Sequence, residues 1–174
     1  MAMTVTTPTA YARIVTDLQA LRESIELTNR INDLATGGAN LTEAETADNV
    51  RLRAQLFEDL RQSVKRADAS TVTLNLHGLN ANQWNELVIR CTSVKDGRET
   101  KDLAKLAALS VPRMLIEATD ANGKHLPSDQ TGVANLIRSL SDTQTVELLQ
   151  TIQELNTPVT SLPKETRTLL ESAN

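Results

Sequence analysis

Apolar residues recur at helical spacing near the start of the chain. From Tyr11 onward, Ile14, Leu18, Leu21 and Ile25 follow one another at intervals of four, three and four residues. This spacing places them in a narrow row on one side of a helix, as in the seam between packed helices. We therefore predict a helix that begins near Tyr11, after a flexible tail at residues 1–9. Beyond Ile25 the apolar row continues at a shifted phase.

A glycine-containing turn separates this helix from a second one. The segment TGGAN at positions 36–40 is typical of a helix end, and Thr42 with Glu45 forms a T-x-x-E capping box. The second helix is predicted to end near Ala67. Its apolar side consists of Val50, Leu56, Phe57, Leu60 and Val64.

Residues 10–67 should thus form an antiparallel helical hairpin. The narrow row on its first helix favours packing against another copy of the chain, and packing against the rest of the same chain is the alternative. In a homo-oligomer, the hairpin would be an oligomerisation arm. The oligomerisation residues would be Ile14, Leu18, Leu21 and Ile25.

The pattern changes at TVTLNLH, residues 71–77, where apolar and polar residues alternate. A period of two predicts a half-buried strand. Gly78 ends this strand, and Asn80 or Asn82 can cap a following helix. The apolar row of that helix is Trp84, Leu87, Val88 and Cys91. This row favours core packing for Trp84, with a groove for a partner protein as the alternative, and it favours a buried thiol for Cys91.

The remaining chain predicts short elements. KDGRETKD at 95–102 indicates a solvated turn, and a helix over 99–109 should end at Pro112. A second strand with an Asn-Gly turn follows in RMLIEATDANGKHL, and would pair with the first. Two further helices are predicted. Ser128 or Asp129 caps the first. Ser141 or Asp142 caps the second, which should end with Asn156 in a left-handed conformation.

These elements define the expected fold class. The chain is predicted to be mainly α with a small β element, an α+β protein. A compact, mostly helical domain at 71–156, with a two-stranded sheet, follows the helical hairpin. Residues 157–174 contain two prolines and little periodicity, and we predict a mobile C-terminal tail.

Composition and charge narrow the possible functions. The 174 residues include 18 basic and 22 acidic side chains, a single cysteine and two histidines. One cysteine excludes an internal disulfide, and so few Cys and His residues argue against zinc. The net charge of −4 comes without a basic stripe for phosphate contacts, so we expect no nucleic-acid partner. No signal peptide and no apolar run of about 20 residues is present, which predicts an intracellular protein without a membrane partner.

Candidate catalytic chemistry is equally sparse. A nucleophile requires a positioned base, yet Cys91 belongs to an apolar row, His77 ends a strand and His125 lies in a turn. The glycine segments lack the spacing of phosphate-binding loops. Pairs of adjacent carboxylates fall on charged helix faces, where exposure to solvent is sufficient to explain their presence. We therefore expect no enzyme activity, no cofactor and no metal.

The order of elements in VTLNLHGLNANQWNELV, and in the segment from VPRMLIEATDANGKH to TPVTSLPK, resembles the tail assembly chaperones of long-tailed bacteriophages. In that family a strand precedes a helix with a tryptophan. A proline, an apolar strand and a helix pair that ends in Leu-Asn follow. The matching residues are Trp84, Pro112, Leu155, Asn156, Pro163 and Lys164. The resemblance covers residues 71–164, and the predicted hairpin lies outside it.

The resemblance implies a chaperone that binds the hydrophobic tape measure protein, keeps it soluble and helps to recruit tail tube protein in the host cell cytoplasm. Such a protein needs an apolar groove and several copies per client. We expect Trp84, Leu87, Leu148 and Leu155 to lie near this groove.

Two other functions remain open. One is a structural phage tail or head-tail connector subunit without chaperone activity. The other is a DNA-binding protein with a helix-turn-helix within 99–155, against which the lack of basic residues in 141–156 counts.

Overall fold

The computed structural model describes residues 5–36 and 43–158. Within these ranges the chain is mostly helical, which confirms the predicted class of a mainly α protein with a small β element. In chain order the elements are β1 (Thr9–Val15), α1 (Leu18–Thr36), α2 (Glu43–Ala69), β2 (Thr71–His77), α3 (Ala81–Cys91), β3 (Thr92–Lys95), β4 (Arg98–Lys101), α4 (Leu103–Met114), β5 (Leu115–Thr119), α5 (Gln130–Arg138) and α6 (Asp142–Asn156). Parts of the sequence prediction lie outside the described residues. They are the turn glycines, the Thr42 cap, and residues 1–4 and 159–174 of the two predicted tails.

Three strands form one sheet in the order β1-β2-β5, and β3 pairs with β4 in a separate antiparallel hairpin. The alternating pattern correctly predicts β2, in which Leu74 and Leu76 are fully buried. β5 is the predicted second strand and lies beside β2. A bridge between Thr119 and His125 closes the turn that follows β5. The sheet has one strand more than predicted, and the additional strand is β1.

The predicted helix start near Tyr11 is wrong, because this segment forms β1. Ala12 and Ile14 are buried while Tyr11 is exposed, an alternation with the period of a strand. Helix α1 begins later, after Asp17, whose carboxylate accepts a hydrogen bond of 2.9 Å from the N–H of Ala20. This is the contact of a helix cap. Ile14 is therefore a core residue of a strand and no part of a helical row.

The described residues form two compact units. The first comprises residues 5–12, 75–116 and 128–158. It contains α3 to α6 and the β3–β4 hairpin. The second comprises residues 13–36, 43–74 and 117–127, and contains α1 and α2.

Helices α1 and α2 pack against each other in the second unit. Glu23 near the start of α1 forms an ion pair with Arg66 near the end of α2. Hydrogen bonds from Gln19 and from Arg66 lower the pKa of Glu23. The buried or half-buried residues between the helices follow intervals of three and four. They are Ala20, Ser24, Leu27, Ile31 and Leu34 on α1, and Leu56, Leu60, Ser63 and Ala67 on α2.

The predicted apolar row of α1 is rotated away from the buried row as far as Ile25, whereas its continuation at a shifted phase, Leu27, Ile31 and Leu34, coincides with the buried row. Leu18, Leu21 and Ile25 of α1 are 40, 37 and 55% exposed. On α2 the prediction is right for Leu56 and for the half-buried Leu60. The other three predicted residues, Val50, Phe57 and Val64, are exposed.

The prediction erred because it followed large apolar side chains, whereas alanine and serine occupy much of the buried row. A buried serine is tolerated where its hydroxyl finds a hydrogen-bond partner. The hydroxyl of Ser24 donates to the carbonyl of Leu21 at 2.7 Å, and that of Ser63 donates to the carbonyl of Leu60 at 3.0 Å. Both hydroxyls are thus satisfied within their own helices, and the small side chains let the helices approach closely.

Helix α4 is central to the first unit, where it contacts α3, α5 and α6. Asp102 caps its start by accepting a hydrogen bond of 2.9 Å from the N–H of Lys105. The helix was predicted to end at Pro112 but continues to Met114, with Pro112 in its last turn. Of the predicted caps, Asp129 begins α5 and Ser141 begins α6.

Asn156 joins the end of α6 to the chain that precedes α3. Its side-chain oxygen accepts a hydrogen bond of 2.8 Å from the N–H of Leu79. Its amide donates to the carbonyl of Ile152 at 2.7 Å and lies 3.6 Å from the sulfur of Met114. The predicted left-handed conformation of Asn156 is wrong, because it is the last helical residue and its φ is not positive.

Gly78 allows this close approach. A Cβ at this position would lie 2.5 Å from the backbone oxygen of Leu155. That distance is shorter than van der Waals contact, so any larger residue would push the start of α3 away from α6.

Replacing Asn156 with Ala should lower the free energy of unfolding by about 1 to 3 kcal/mol, because the part-buried N–H of Leu79 loses its acceptor. Chemical denaturation followed by circular dichroism measures this change. Asn85→Ala is the matched control, since Asn85 is an exposed residue of α3, and it should shift stability by less than about 0.5 kcal/mol. Equal losses in the two variants would contradict the role assigned to Asn156.

Candidate functional site

Helix α3 begins with a complete capping box. The side chain of Asn80 accepts a hydrogen bond of 2.9 Å from the N–H of Gln83, and the side chain of Gln83 accepts one of 3.2 Å from the N–H of Asn80. This reciprocal pair fixes the first turn and confirms Asn80 as the cap. The helix then buries Leu87 and Cys91. Its register consequently turns Ile89 outward, with 72% of its surface exposed.

The β3–β4 hairpin follows α3 directly. Its turn residues Asp96 and Gly97 have φ angles of 50° and 73°, the left-handed pair of a two-residue hairpin turn. Every side chain of the two strands except the half-buried Thr92 is exposed, including Val94 at 67%. The prediction of a solvated turn at 95–102 is therefore wrong in extent. Alternation of apolar and polar residues is absent from TSVK and RETK, so the Asp-Gly pair was the only feature of this segment that indicated a hairpin.

A groove lies between α3 and this hairpin, with a volume of about 380 Å³. We call it the α3 groove, and its lining residues are Val88, Ile89, Thr92, Glu99 and Lys101. Its helix wall is apolar, and its strand wall carries one acidic and one basic side chain. This arrangement suits an apolar side chain of a protein partner, with polar contacts at the edge.

Trp84 is half-buried and lies one helical turn before Val88. Residues four apart share a helix face, so Trp84 lies on the face of α3 that carries Val88, although it does not line the α3 groove. The other residues predicted to lie near a groove are in the core. Leu87, Leu148 and Leu155 are 0, 3 and 4% exposed, and partner contact through them would require the first unit to open.

The structure thus separates the four predicted residues into one surface residue and three core residues. Sequence reasoning missed Ile89, because it lies outside the apolar row of α3. The structural feature that reveals it is a large apolar side chain left exposed at the edge of a groove, next to the half-buried Val88.

The predicted oligomerisation residues divide in a similar way. Leu18, Leu21 and Ile25 lie on an exposed side of α1, whereas Ile14 is buried in β1.

Both histidines have structural partners. The Nδ1 atom of His77 lies 2.8 Å from the carbonyl oxygen of Gly78, and Nδ1 of His125 lies 3.4 Å from a carboxylate oxygen of Glu117. Among the described residues, no group of three or more His, Cys, Asp or Glu side chains is placed to hold a metal ion. Within the same ranges, no helix is both long and apolar enough to cross a membrane.

Comparisons with models of protein families, with curated proteins and with solved structures give no match.

The thiol of Cys91 should react slowly in the folded protein. Burial raises its pKa, so the nucleophilic thiolate is scarce at about pH 8, and its 4% exposure limits access. We expect alkylation by iodoacetamide, measured by mass spectrometry, to be at least about 10-fold slower than in concentrated guanidinium chloride.

A matched control for this measurement is Ser93→Cys, which places a second thiol at an exposed position of β3. Its added thiol should be modified rapidly under the same conditions. Rapid modification of Cys91 itself in the folded protein would contradict its assignment to the core.

Proposed function

We propose that this protein is a tail assembly chaperone of long-tailed bacteriophages, which binds the tape measure protein, keeps it soluble and assists assembly of the tail tube around it. The observation that carries the proposal is the α3 groove, where Ile89 is 72% exposed beside the half-buried Val88. The resemblance of residues 71–164 to such chaperones supports it.

The proposed action is binding without catalysis, in the cytoplasm of the host cell. A tape measure protein presents long helices with apolar rows, and such a helix aggregates unless its row is covered. An apolar side chain of the client would enter the α3 groove, and burying it would contribute about 1.5 to 3 kcal/mol. Many weak contacts along one long client then hold it in solution.

The antiparallel arm formed by α1 and α2 has a second role in this proposal. The arm lies outside residues 71–164, which carry the resemblance, and would join copies of the chaperone. An oligomer presents several α3 grooves to one client, which raises the effective concentration of the free grooves once the first has bound.

A structural subunit of the tail or of the head-tail connector is the second candidate. The exposed β3–β4 hairpin favours it, because a two-stranded hairpin is marginally stable unless it packs against something. In that case a neighbouring subunit would cover the hairpin permanently. Mass spectrometry of purified virions distinguishes the two, since a chaperone should be absent or scarce in finished particles.

Co-expression with the tape measure protein of the same genome tests the chaperone function. The wild-type chain, carrying a purification tag, should keep the client soluble and co-purify with it. Ile89→Glu places a charge in the α3 groove, and we expect it to reduce the co-purified client at least about 10-fold while the protein stays folded. Val146→Glu is the matched control, because Val146 is a similarly exposed apolar residue on α6, and it should retain the client.

Two outcomes would count against the proposal. An insoluble client beside a free, folded wild-type chain would contradict chaperone function. Equal client binding by the Ile89→Glu and Val146→Glu variants would contradict the α3 groove as the binding site.

A further inference from the structure

The outer edge of β4 has main-chain groups that no other described strand uses. The residues that flank the two-residue turn of the β3–β4 hairpin form a hydrogen-bonded pair, and such pairs then alternate along the ladder. The N–H of Asp102 donates to the carbonyl of Cys91 at 2.8 Å, which follows the same alternation. Glu99 and Lys101 lie between these pairs, so their N–H and C=O groups point away from β3. Within the described residues, β3 is the only strand that pairs with β4.

An open strand edge is a template for another strand. Charged side chains, above all lysine, usually prevent such pairing. The four residues of β4, RETK, are all exposed, and three of them are charged. This edge therefore deters most strands and accepts one whose charges are opposite to its own at each paired position.

The sequence of β4 is complementary to itself when two copies run antiparallel. If Thr100 faces Thr100 of the second copy, Glu99 faces Lys101 and Lys101 faces Glu99. Because the main-chain groups of both charged residues point outward, each of these two pairs is also a hydrogen-bonded pair. Arg98 then faces Asp102 just beyond the strand. Opposite charges and paired threonines stabilise neighbouring strands at such positions.

The other registers are unfavourable. A shift by two residues places Glu99 opposite Glu99, or Lys101 opposite Lys101, and like charges directly across from each other are destabilising. A shift by one residue sets the outward main-chain groups of one copy against inward groups of the other, so the hydrogen bonds are lost. The charges of β4 therefore select a single register.

We propose that β4 pairs antiparallel with β4 of a second copy, so that two β3–β4 hairpins form one four-stranded sheet with two-fold symmetry. A two-stranded hairpin is marginally stable by itself, and the larger sheet removes this weakness. The same edge serves on both subunits, as in most homodimers. The pairing does not depend on the chaperone function proposed above.

The length of the edge sets the strength of the pairing. Four residues per copy bury much less than the ~1,000 Å² of a stable interface, so we expect a dissociation constant of about 0.1 to 1 mM. The two-fold axis of an antiparallel pair is perpendicular to the sheet. Glu99 and Lys101, which line the α3 groove, therefore stay on the same face in both copies, and the two α3 grooves open on that face.

Disulfide trapping of the full chain tests the register. Across an antiparallel pair that is not hydrogen-bonded, the Cα atoms are about 4.5 Å apart, within the range of a disulfide. The Thr100→Cys variant should therefore form a disulfide-linked dimer in a glutathione redox buffer, measured by non-reducing electrophoresis. Cys91 should not compete, because it is buried.

Ser93→Cys is the matched control for trapping. Ser93 is also exposed and pairs with Thr100, so both side chains lie on the same face of the hairpin. In the four-stranded sheet the two copies of residue 93 are three strand spacings apart, about 14 Å, which is too far for a disulfide. This variant should form at least about 10-fold less cross-linked dimer than Thr100→Cys.

Reversal of charge tests the pairing without a cross-link. Glu99→Lys places lysine opposite Lys101, and Lys101→Glu places glutamate opposite Glu99. Each variant alone should have a dimer dissociation constant at least about 10-fold above that of the wild type, measured by sedimentation equilibrium at low salt. An equimolar mixture of the two should associate like the wild type, because opposite charges then face each other. The circular dichroism spectrum should not change, since both positions are exposed.

Three results would overturn the proposal. The first is equal cross-linking of the Thr100→Cys and Ser93→Cys variants. The second is a mixture of the Glu99→Lys and Lys101→Glu variants that associates no better than either alone. The third is a wild type that is monomeric at about 1 mM, which would leave the edge of β4 to a strand of another protein.

Discussion

The hydrogen bond from Leu79 to the side chain of Asn156 determines where α3 begins in the first unit. It forms only because Gly78 has no Cβ and lets the chain pass close to the backbone of Leu155. One residue later Asn80 caps the helix. From that fixed start, the helical period turns Leu87 into the core and Ile89 outward. The helix wall of the α3 groove therefore depends on one polar contact and one missing side chain, and the β3–β4 hairpin supplies its other wall.

The second unit depends on a different constraint, which is the size of the side chains between its helices. Ala20, Ser24, Ser63 and Ala67 allow α1 and α2 to approach closely at the end where Glu23 and Arg66 pair. Small side chains bury little apolar area, so the contact between the helices uses only a narrow part of each surface. The larger apolar residues remain on the flanks. The arm formed by α1 and α2 therefore leaves apolar side chains exposed on its flanks.

Sequence patterns correctly predicted the elements whose buried residues are large and apolar. The alternation of leucines predicted β2, and short polar residues before apolar rows predicted the caps Asn80, Asp129 and Ser141. The patterns failed where small or polar residues decide the structure. Ala20 and Ser24 form the first part of the buried row of α1, and β1 was mistaken for helix because Ile14 happens to lie four residues before Leu18.

The candidate site shows the same limit. Periodicity located α3 and identified Trp84 as a residue with an apolar environment, but it did not reveal which large apolar residues the fold leaves uncovered. Leu148 and Leu155 have the same chemistry as Leu21, yet the first two are buried and the third is exposed. That difference depends on the contacts of α4 with α6 and of α1 with α2, which join residues far apart in the chain and leave no local pattern.

Under the proposed function, one α3 groove cannot hold a long client by itself, because a single buried apolar side chain contributes only about 1.5 to 3 kcal/mol. Several grooves that act on the same client would bind its neighbouring segments at an effective concentration set by the tether and not by the bulk solution. Weak individual grooves are then sufficient for tight holding, and release remains possible as contacts are replaced one at a time. A shallow groove is therefore compatible with a chaperone that must both hold and release its client.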